Sequence, residues 1–309
     1  MKVLVTGGAG FIGSHIAELY HACGHEVVVL DNFVTGRKEN LPPTIRVVEM
    51  DIRDRSVEAF IRREQFDAIN HHAALLSVPE SFRFPVEYAD VNVTGTVNLL
   101  EAAVRAGVRV FIFASTCAVY AEDAVQPYTE DSPTAPVNPY GASKLSAEHF
   151  INAYAAQHPA LRVVVLRYGN VFGPRQRVYG EGNLVAVCAA KLLAQDVPTI
   201  FGDGSHTRDF VYVQDVAELN CHVLERPVHG TFNVGTGIAR SVLEVYTSVA
   251  RAVGTERAPR YGPPRVEPAH IVLSPTALMA AIGWQPQVDF DQGIRQTVAW
   301  FAVHSTPVQ

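Results

Sequence analysis

The sequence predicts an α/β fold, in which a doubly wound parallel sheet is combined with a smaller, discontinuous C-terminal α/β domain. In the first half of the chain, short β-branched runs alternate with longer helical patterns, as in a sheet whose strands are joined by helices. The strand-like runs are continuously apolar, which is typical of parallel strands buried on both faces. The predicted strands are residues 3–6, 27–30, 45–49, 68–70, 110–114 and 163–167, and the clearest predicted helices are 92–106 and 143–157.

The first predicted strand leads into a glycine-rich turn. Gly7, Gly10 and Gly13 follow the apolar residues 3–5 with the spacing G-x-x-G-x-x-G. The first glycine permits a tight turn, the second lets backbone N–H groups approach a pyrophosphate, and the third lets the following helix lie against the strand. The second apolar run ends in Asp31, about 20 residues further on, where a carboxylate can accept both hydroxyls of an adenosine ribose. This order predicts a Rossmann-type unit that binds a dinucleotide.

Asp31 also bears on the type of dinucleotide. Its negative charge repels a 2′-phosphate, which favours NAD over NADP. Arg37 and Lys38 lie close by in the sequence and could weaken that preference. We expect NAD.

The bulk composition restricts the class of protein. The chain has 309 residues, which predicts about two domains. Its formal net charge is −6 and its basic residues are scattered, which argues against nucleic acid or an anionic membrane as a partner. Lys2 leads directly into the first strand and no apolar stretch could span a bilayer, so we expect a cytoplasmic protein without a signal peptide. His71 and His72 lack a third ligand nearby, so no metal is expected. The cysteines lack metal-ligand spacing and are expected to be reduced: Cys23, Cys117, Cys188 and Cys221.

The composition of the sequence and the length of its predicted elements change after Gly173 and Pro174. Predicted elements become shorter, and proline and glycine become more frequent. We therefore predict a cofactor-binding domain over residues 1–172 and a substrate-binding domain over residues 173–309. Runs expected to return to the first domain are 210–213 and 232–234, within residues 208–236, and helices expected in the second domain are 241–253 and 290–301.

Another group of residues carries reactive side chains. Tyr140 and Lys144 are four residues apart in a segment that follows Pro139 and opens a predicted helix, so their side chains lie on one side of it, one turn apart. The strand at 110–114 runs out into Thr116, and the carboxyl ends of parallel strands face the cofactor crevice. A hydroxyl, a phenol and an ammonium beside a dinucleotide are suited to moving a proton and a hydride.

The phenol must lose its proton to act as a base. A free tyrosine has a pKa near 10, so only about one molecule in a thousand is ionised at pH 7. Two positive charges, the ammonium of Lys144 and an oxidised nicotinamide, favour the phenolate. Lowering the pKa by about three units requires roughly 4 kcal/mol, which two charges in a water-poor cleft can supply.

These residues belong to a longer series of ordered motifs. The motifs are T-G-G-A-G-F-I-G at 6–13, Asp31-Asn32, Asp51-Ile52, H-H-A-A at 71–74, Ser115-Thr116, Tyr140 with Lys144, R-Y-G-N-V-F-G-P at 167–174, G-D-G at 202–204 and R-D-F-V-Y-V at 208–213. The series resembles the extended short-chain dehydrogenase/reductases, and within them the nucleotide-sugar 4-epimerases of UDP-glucose 4-epimerase type. The resemblance covers nearly the whole chain.

For the cofactor, the resemblance implies NAD, held as a prosthetic group because an epimerase regenerates it in each cycle. Asp51 and Ile52 look like the pair that brackets the adenine. Ala73 and Ala74 look like the small residues beneath the nicotinamide-side pyrophosphate and ribose, and Lys144 like the residue that bonds that ribose and lowers the pKa of the tyrosine. The remaining implied contacts, beside the three glycines and Asp31, are Phe11, Ile12, Asn32, Asn92, Tyr140 and Tyr168.

For the substrate, the resemblance implies a UDP-sugar. Thr116 aligns with the Ser or Thr that hydrogen-bonds the sugar 4-hydroxyl. Family members often carry Arg-x-Gly-Asp/Glu where this chain has Arg265-Val266-Glu267, one residue shorter and without the glycine. Allowing for that gap, Ile271 falls at the residue that gates the sugar pocket. Residues that resemble diphosphate contacts are Arg208, Arg265, Asn170 (alternatively a turn residue) and Asn183 (alternatively a helix cap).

One position bears on the reaction. Relatives that eliminate water or carbon dioxide usually carry an acid just after the active-site Thr or Ser, which serves the chemistry beside C5 and C6 of the sugar. Here Ala118 takes the place of that acid, and it cannot transfer a proton. The remaining groups suffice for oxidation at C4, rotation of the keto-sugar and reduction on its other face. We therefore expect 4-epimerisation of a UDP-hexose, UDP-glucose or UDP-galactose.

Other interpretations stay open. UDP-glucuronate or UDP-N-acetylglucosamine could be the substrate, and an NAD(P)-linked nucleotide-sugar reductase or dehydratase would use the same fold. Intact Thr116, Tyr140 and Lys144 argue against a catalytically silent dinucleotide-binding protein. The family usually forms homodimers through a pair of helices, here 92–106 and 143–157.

Overall fold

The computed structural model describes residues 1–178, 183–265 and 267–304. Within them the strands are β1 (Lys2–Thr6), β2 (Glu26–Asp31), β3 (Arg46–Glu49), β4 (Ala68–His71), β5 (Val110–Thr116), β6 (Arg162–Tyr168), β7 (Asn170–Phe172), β8 (Thr199–Phe201), β9 (Thr207–Tyr212), β10 (Gly230–Val234), β11 (Ala239–Ser241), β12 (Arg260–Gly262) and β13 (His270–Ile271). The α-helices are α1 (Phe11–Ala22), α2 (Val57–Glu64), α3 (Val78–Arg83), α4 (Pro85–Ala89), α5 (Gly95–Ala106), α6 (Pro139–Gln157), α7 (Leu184–Leu193), α8 (Val213–Glu225), α9 (Val242–Val253), α10 (Thr276–Ile282) and α11 (Phe290–His304).

The larger sheet has seven strands in the order β10-β6-β5-β4-β1-β2-β3, and every neighbouring pair is parallel. The chain winds outward from β1 to β3, returns to β4 beside β1 and then winds outward on the other side. The sheet is therefore doubly wound, and the predicted fold class is confirmed. Ligands of such sheets bind beside the carboxyl ends of the strands where the winding reverses. Here those ends carry Thr6, His71 and, one strand further, Thr116.

The strands of this sheet bury side chains on both faces. In β1, Val3 and Val5 pack into one apolar core and Leu4 packs into the other. In β2, Val29 packs into the first of these cores and Val28 into the second. Helices α1 and α8 pack together in the first layer, and α2 and α5 in the second. Both faces are covered, which accounts for the continuous apolar runs in the sequence.

The strands of a smaller sheet come from the second half of the chain, and two of them, β7 and β9, precede β10 of the larger sheet. In it β9 pairs with β7, β11 and β13, and a separate two-stranded sheet joins β8 to β12. Of the two runs expected to return to the first domain, 232–234 pairs with β6 in the large sheet, whereas 210–213 does not pair there, because β9 runs beside β7 and Phe210 meets the ring of Phe172. The division at residues 172 and 173 stays a prediction.

The described helices include no membrane span. None of them is both long enough and apolar enough to cross a bilayer.

Candidate active site

The glycine-rich turn after β1 is shaped by close backbone approaches. Gly7 has a φ of 66°, and a Cβ there would lie 2.5 Å from the backbone N of Ala73. A Cβ on Gly13 would lie 2.4 Å from the carbonyl oxygen of Gly7. Gly10 is the N-cap of α1, and no side chain caps that helix end. The first turn, which includes half-buried Phe11 and Ile12, therefore has no side-chain acceptor for its N–H groups, and an anion at this end would be favoured. This end of the helix fits a dinucleotide pyrophosphate.

The carboxylate of Asp31 lies beside this turn, at the end of β2. One of its oxygens accepts a hydrogen bond from the N–H of Ala9 at 3.0 Å, and the other accepts one from the N–H of Phe33 at 2.9 Å. Burial raises its pKa. A carboxylate can accept about four hydrogen bonds, so two of its acceptor positions remain for ribose hydroxyls.

Beyond Asp31, a polar cluster occupies the region predicted to hold the adenine. The Asn32 amide donates to Asp51 at 2.9 Å. Arg53 donates to the same carboxylate through Nε at 2.9 Å and Nη2 at 2.8 Å, and it holds the pKa of Asp51 well below its usual range. Ile52, between Asp51 and Arg53 in the sequence, is buried. Its Cδ1 lies so close to α5 that a Cβ on Gly95 would be 2.5 Å from it. The sequence did not reveal Arg53, which fixes Asp51 in place.

The segment after β4 carries Ala73 and Ala74. The Ala73 N–H donates to the hydroxyl of Thr6 at 3.4 Å. His71 lies beneath them, with Nδ1 2.7 Å from the Thr6 hydroxyl and Nε2 2.9 Å from that of Thr96. Both ring nitrogens of His71 are thus engaged inside the protein, which supports the interpretation of this histidine as a packing residue. In the described chain no group of three His, Cys, Asp or Glu side chains is arranged to hold a metal ion.

Asn92 joins the segment after β4 to α6. Its amide nitrogen donates to the carbonyl of Leu75 at 3.0 Å and to the hydroxyl of Ser143 at 2.9 Å. Its amide oxygen accepts from the N–H of Leu75 at 2.9 Å. The side chain is buried, so in this structure it positions the cofactor-side segment and the helix of Tyr140; a direct contact to the cofactor stays a prediction.

Tyr168 at the end of β6 is engaged in a similar way. Its hydroxyl accepts from the amide of Asn220 at 3.0 Å and lies 3.1 Å from Nε2 of His72. The rings of His72 and Tyr168 stack with centroids 5.8 Å apart. This stack supports the backbone that leads into Ala73.

The three predicted catalytic residues come together where β5 meets α6. Thr116 ends β5, and its hydroxyl is close enough to the phenol of Tyr140 to lower the pKa of that phenol. Asn138 caps α6 by accepting from the N–H of Gly141 at 2.8 Å. A Cβ on Gly141 would lie 2.4 Å from the carbonyl of Ala118, so the glycine after Tyr140 allows the helix to approach the loop that follows Thr116.

Lys144 lies one turn beyond Tyr140 and is only 3% exposed. Its Nζ is 4.1 Å from the centroid of the Phe113 ring. Burial lowers the pKa of Lys144 to about 7, while the carboxylate of Glu148 acts in the opposite direction. Burial also raises the pKa of Tyr140, against the hydrogen bond from Thr116. The protein therefore favours a neutral phenol and leaves Lys144 only partly charged at pH 7, so the phenolate needs the second positive charge of a nicotinamide.

On the substrate side, two predicted residues are neighbours. Ile271 of β13 is the register partner of Arg208 in β9. The guanidinium of Arg208 donates to Glu267 at 2.9 Å and to the carbonyl of Thr207 at 2.8 Å. Ile271 and Cys117 both pack against a small apolar cluster, which places Ile271 beside the loop after Thr116. That cluster consists of Val119, Tyr120, Tyr128 and Leu273.

The other predicted diphosphate contacts are more dispersed. Asn170 begins β7 opposite Phe210. Asn183 is the N-cap of α7, but its side chain makes no capping bond there, and its amide oxygen accepts from Gln176 at 3.3 Å. Arg265 is exposed and its guanidinium stacks 3.5 Å from the ring of Phe201, on the two-stranded sheet. Their roles toward a ligand stay predictions.

Comparison with known proteins gives a consistent result. Residues 3–235 match the NAD dependent epimerase/dehydratase family. A UDP-glucose 4-epimerase of Mycolicibacterium smegmatis is 40% identical over 310 residues, covering 97% of this chain and 98% of that protein. The structure of a UDP-glucose 4-epimerase of Thermus thermophilus in complex with NAD is similar at a TM-score of 0.92 and 43% identity, covering 99% of this chain and 100% of that one. That of a Thermotoga maritima UDP-glucose 4-epimerase with UDP-glucose gives a TM-score of 0.94 and 37% identity, covering 97% and 98%.

Proposed function

Since the chain belongs to the NAD dependent epimerase/dehydratase family, we propose that it interconverts UDP-glucose and UDP-galactose through a 4-keto intermediate. The observation that carries this proposal is the contact of Thr116 with Tyr140, one helical turn from buried Lys144, at the carboxyl end of β5. The loop that comes next holds Ala118 where an eliminating enzyme needs an acid.

The cofactor we propose is NAD. The glycine turn and the uncapped end of α1 suit its pyrophosphate, and the carboxylate of Asp31 suits its adenosine ribose. When bound, NAD supplies the acceptor and then the donor of the C4 hydride. Lys144 is the residue we assign to the nicotinamide ribose.

The side chains of the chain itself move and orient the proton. Tyr140 takes the proton of the sugar 4-hydroxyl as C4 is oxidised, and returns it as C4 is reduced on its opposite face. Thr116 shares the hydrogen bond of that hydroxyl and fixes its direction. Lys144 stabilises the phenolate that is present before C4 is oxidised and is formed again once C4 has been reduced. Because one base serves both directions, no second acid is required.

Arg208 is the residue we assign to the UDP diphosphate. It is largely buried and its guanidinium is already paired with Glu267 at 2.9 Å. A diphosphate has more acceptor oxygens for the planar guanidinium than one carboxylate does. It can therefore bind Arg208 together with Glu267 or in place of it.

The test is an NMR assay of purified protein with UDP-glucose, UDP-galactose, UDP-N-acetylglucosamine and UDP-glucuronate in turn. We expect inversion at C4 of the two hexoses without net formation of NADH. Stoichiometric formation of NADH from added NAD would instead identify a dehydrogenase, and stoichiometric consumption of added NADH would identify a reductase. Absence of any turnover, with NAD bound, would identify a silent dinucleotide-binding protein.

We also propose that two copies pair through α5 and α6. Phe150 of α6 is 44% exposed, and the adjoining helices α3 and α4 and the residue between them expose Phe82, Phe84 and Val86. Four large apolar side chains on neighbouring helices are typical of a covered surface. Light scattering should give a dimer for the native chain and a monomer for Phe150→Glu, while Val125→Glu, at an exposed loop valine, should stay dimeric. A native monomer would contradict the proposal.

A further inference from the structure

A buried ion pair lies one helical turn beyond Lys144, between Glu148 on the buried face of α6 and Arg167 of β6. The carboxylate of Glu148 is 1% exposed and the guanidinium residue Arg167 is 7% exposed. Arg167 donates to Glu148 through Nη2 at 2.6 Å and through Nε at 3.1 Å. The Ser115 hydroxyl donates to the same carboxylate. Even with such hydrogen bonds, a buried ion pair is often no more stabilising than apolar side chains of the same size, so a gain in stability does not by itself account for this pair.

We propose that Glu148 is a positioning residue of the epimerase reaction, which fixes Thr116 against Tyr140 and keeps positive charge on Lys144. This inference rests on the proposed function. It concerns a side chain that touches neither the sugar nor the cofactor site directly, and acts through the residues that do.

The positioning part is supported by where the contacts begin. Ser115 and Arg167 are register partners in β5 and β6, and both reach Glu148 on α6. Ser115 immediately precedes Thr116, and Glu148 lies two turns along the helix from Tyr140. One carboxylate therefore ties together the strand end and the helix that carry the two hydroxyl groups of the site.

Arg167 extends the same contact to the loop after Thr116. Its Nη1 donates to the hydroxyl of Tyr120 at 3.0 Å, and its guanidinium lies 4.9 Å from the centroid of that ring. The Tyr120 hydroxyl donates to the amide oxygen of Asn233 in β10 at 2.6 Å. Both ends of the loop from Thr116 to Tyr120 are thus held by the pair of Glu148 and Arg167.

The electrostatic part concerns the surroundings of Lys144. Burial lowers the pKa of both neighbouring histidines, that of His72 to about 3, so neither carries charge at neutral pH. Among the described groups, Glu148 raises the pKa of Lys144. The titratable and charged groups around Lys144 are Glu148 and Tyr140 of α6, His71 of β4, His72 just after it and, behind Glu148, Arg167 of β6.

The experiment is Glu148→Gln, which keeps the shape and an acceptor for Ser115 but removes the charge. The pKa of Lys144 is measured in purified protein by NMR of 13C-labelled lysine, with Lys144→Met to assign the signal. We expect it to fall by about one pH unit or more. We also expect kcat for UDP-galactose to fall at least tenfold with little change in KM, and the basic limb of its pH profile to move to lower pH. Glu256→Gln, at an exposed residue after α9, is the matched control and should change neither.

Conservative variants keep the test decisive. Glu148→Asp retains the charge, so the pKa of Lys144 should stay close to the native value even if kcat falls. If Glu148→Gln does not fold because Arg167 is left unpaired, the double variant Glu148→Gln/Arg167→Gln removes both charges, and the pKa of Lys144 should still fall. An unchanged Lys144 pKa, or a KM effect without a kcat effect, would overturn the inference. Absence of epimerase activity in the native protein would overturn the proposed function instead, while the NMR titration still decides the electrostatic part.

Discussion

At the scale of single residues, the site contains two groups whose burial opposes the charge states that catalysis needs. Burial raises the pKa of Tyr140 and lowers that of Lys144 to about 7. A phenolate paired with an ammonium is therefore unfavourable in the protein alone. In the mechanism that we propose, the positive ring of a bound nicotinamide beside Tyr140 would reverse this balance for the phenol, so the base would be activated only with the cofactor in place.

Tyr140→Phe should abolish turnover. The change removes the proton acceptor and little volume, so the fold and NAD binding should be retained. Turnover is measured by NMR and folding by circular dichroism, with Tyr154→Phe as the control, since Tyr154 lies on the same helix but bonds to Glu101. A Tyr140→Phe enzyme that keeps more than a few per cent of the native rate would exclude Tyr140 as the base.

Lys144 should reduce the stability of the folded protein at neutral pH. Its pKa is about 7 in the folded state and near 10.5 in an unfolded chain, so the unfolded chain binds more protons between these values. The destabilisation is complete below pH 7 and disappears as the pH rises through 10.5. Lys144→Met should therefore raise the free energy of unfolding at pH 7 by about 2–4 kcal/mol.

This gain is measured by urea unfolding of nucleotide-free protein at pH 7, 9 and 10.5. It should shrink steadily across that range. Lys38→Met, at a side chain that is 65% exposed, is the control and should change stability little. A Lys144→Met protein no more stable than the native one at pH 7 would show that Lys144 is not appreciably desolvated.

At the scale of elements, the periodicity of the sequence predicts the helices and strands, but it does not reveal the contacts between them. The pattern predicts the helix carrying Lys144 from residue 143, whereas α6 begins at Pro139 because Asn138 caps it. The predicted end of β5 is residue 114, whereas the strand continues to Thr116 beside β6. These differences are small because strong local signals fix both elements.

Glu148 shows a role that sequence reasoning could not find. A glutamate in a helix usually faces solvent, and the residues next to Glu148 in the sequence do not indicate a buried partner. Its partners lie on two strands, Arg167 on β6 and Ser115 on β5. One signal was present: Glu148 repeats the spacing of Tyr140 and Lys144 along α6, so it shares their inward face.

The end of β2 should select the cofactor. The buried carboxylate of Asp31 would lie against the 2′-phosphate of NADP, and Lys38, which could offset it, is 3.9 Å from Glu49. We expect NAD to bind at least tenfold more tightly than NADP, as measured by calorimetry. Asp31→Asn keeps an acceptor for the N–H of Phe33 and should narrow that ratio, whereas exposed Glu39→Gln should leave it unchanged. Equal affinities in the native protein, or NADP bound after purification, would contradict this expectation.

At the scale of the whole molecule, the candidate site is assembled from two sheets. The large sheet supplies Thr116 and, through α6, Tyr140. The smaller sheet supplies Arg208 and Ile271, which its parallel pairing places opposite one another. The sequence could not establish this pairing, because the shortened motif at residues 265–267 leaves the register of the chain open.

Ile271 should therefore influence which sugar is accepted. It is half-buried, packs with Cys117 beside the loop after Thr116, and offers no hydrogen-bond donor. Such a pocket excludes larger groups by bulk alone, and apolar contacts of this size discriminate by only about 1–3 kcal/mol.

We expect the enzyme to accept UDP-glucose and UDP-galactose and to turn over UDP-N-acetylglucosamine more slowly. Ile271→Tyr should suppress acetamido-sugar turnover more than hexose turnover, and Ile271→Ala should narrow the difference. The measurement is relative kcat/KM for the paired substrates, with Ile238→Ala, at an exposed residue outside this cluster, as the control. If both Ile271 variants leave that ratio unchanged, Ile271 is not the residue that limits the size of the sugar pocket, and another side chain lines the pocket beside the sugar.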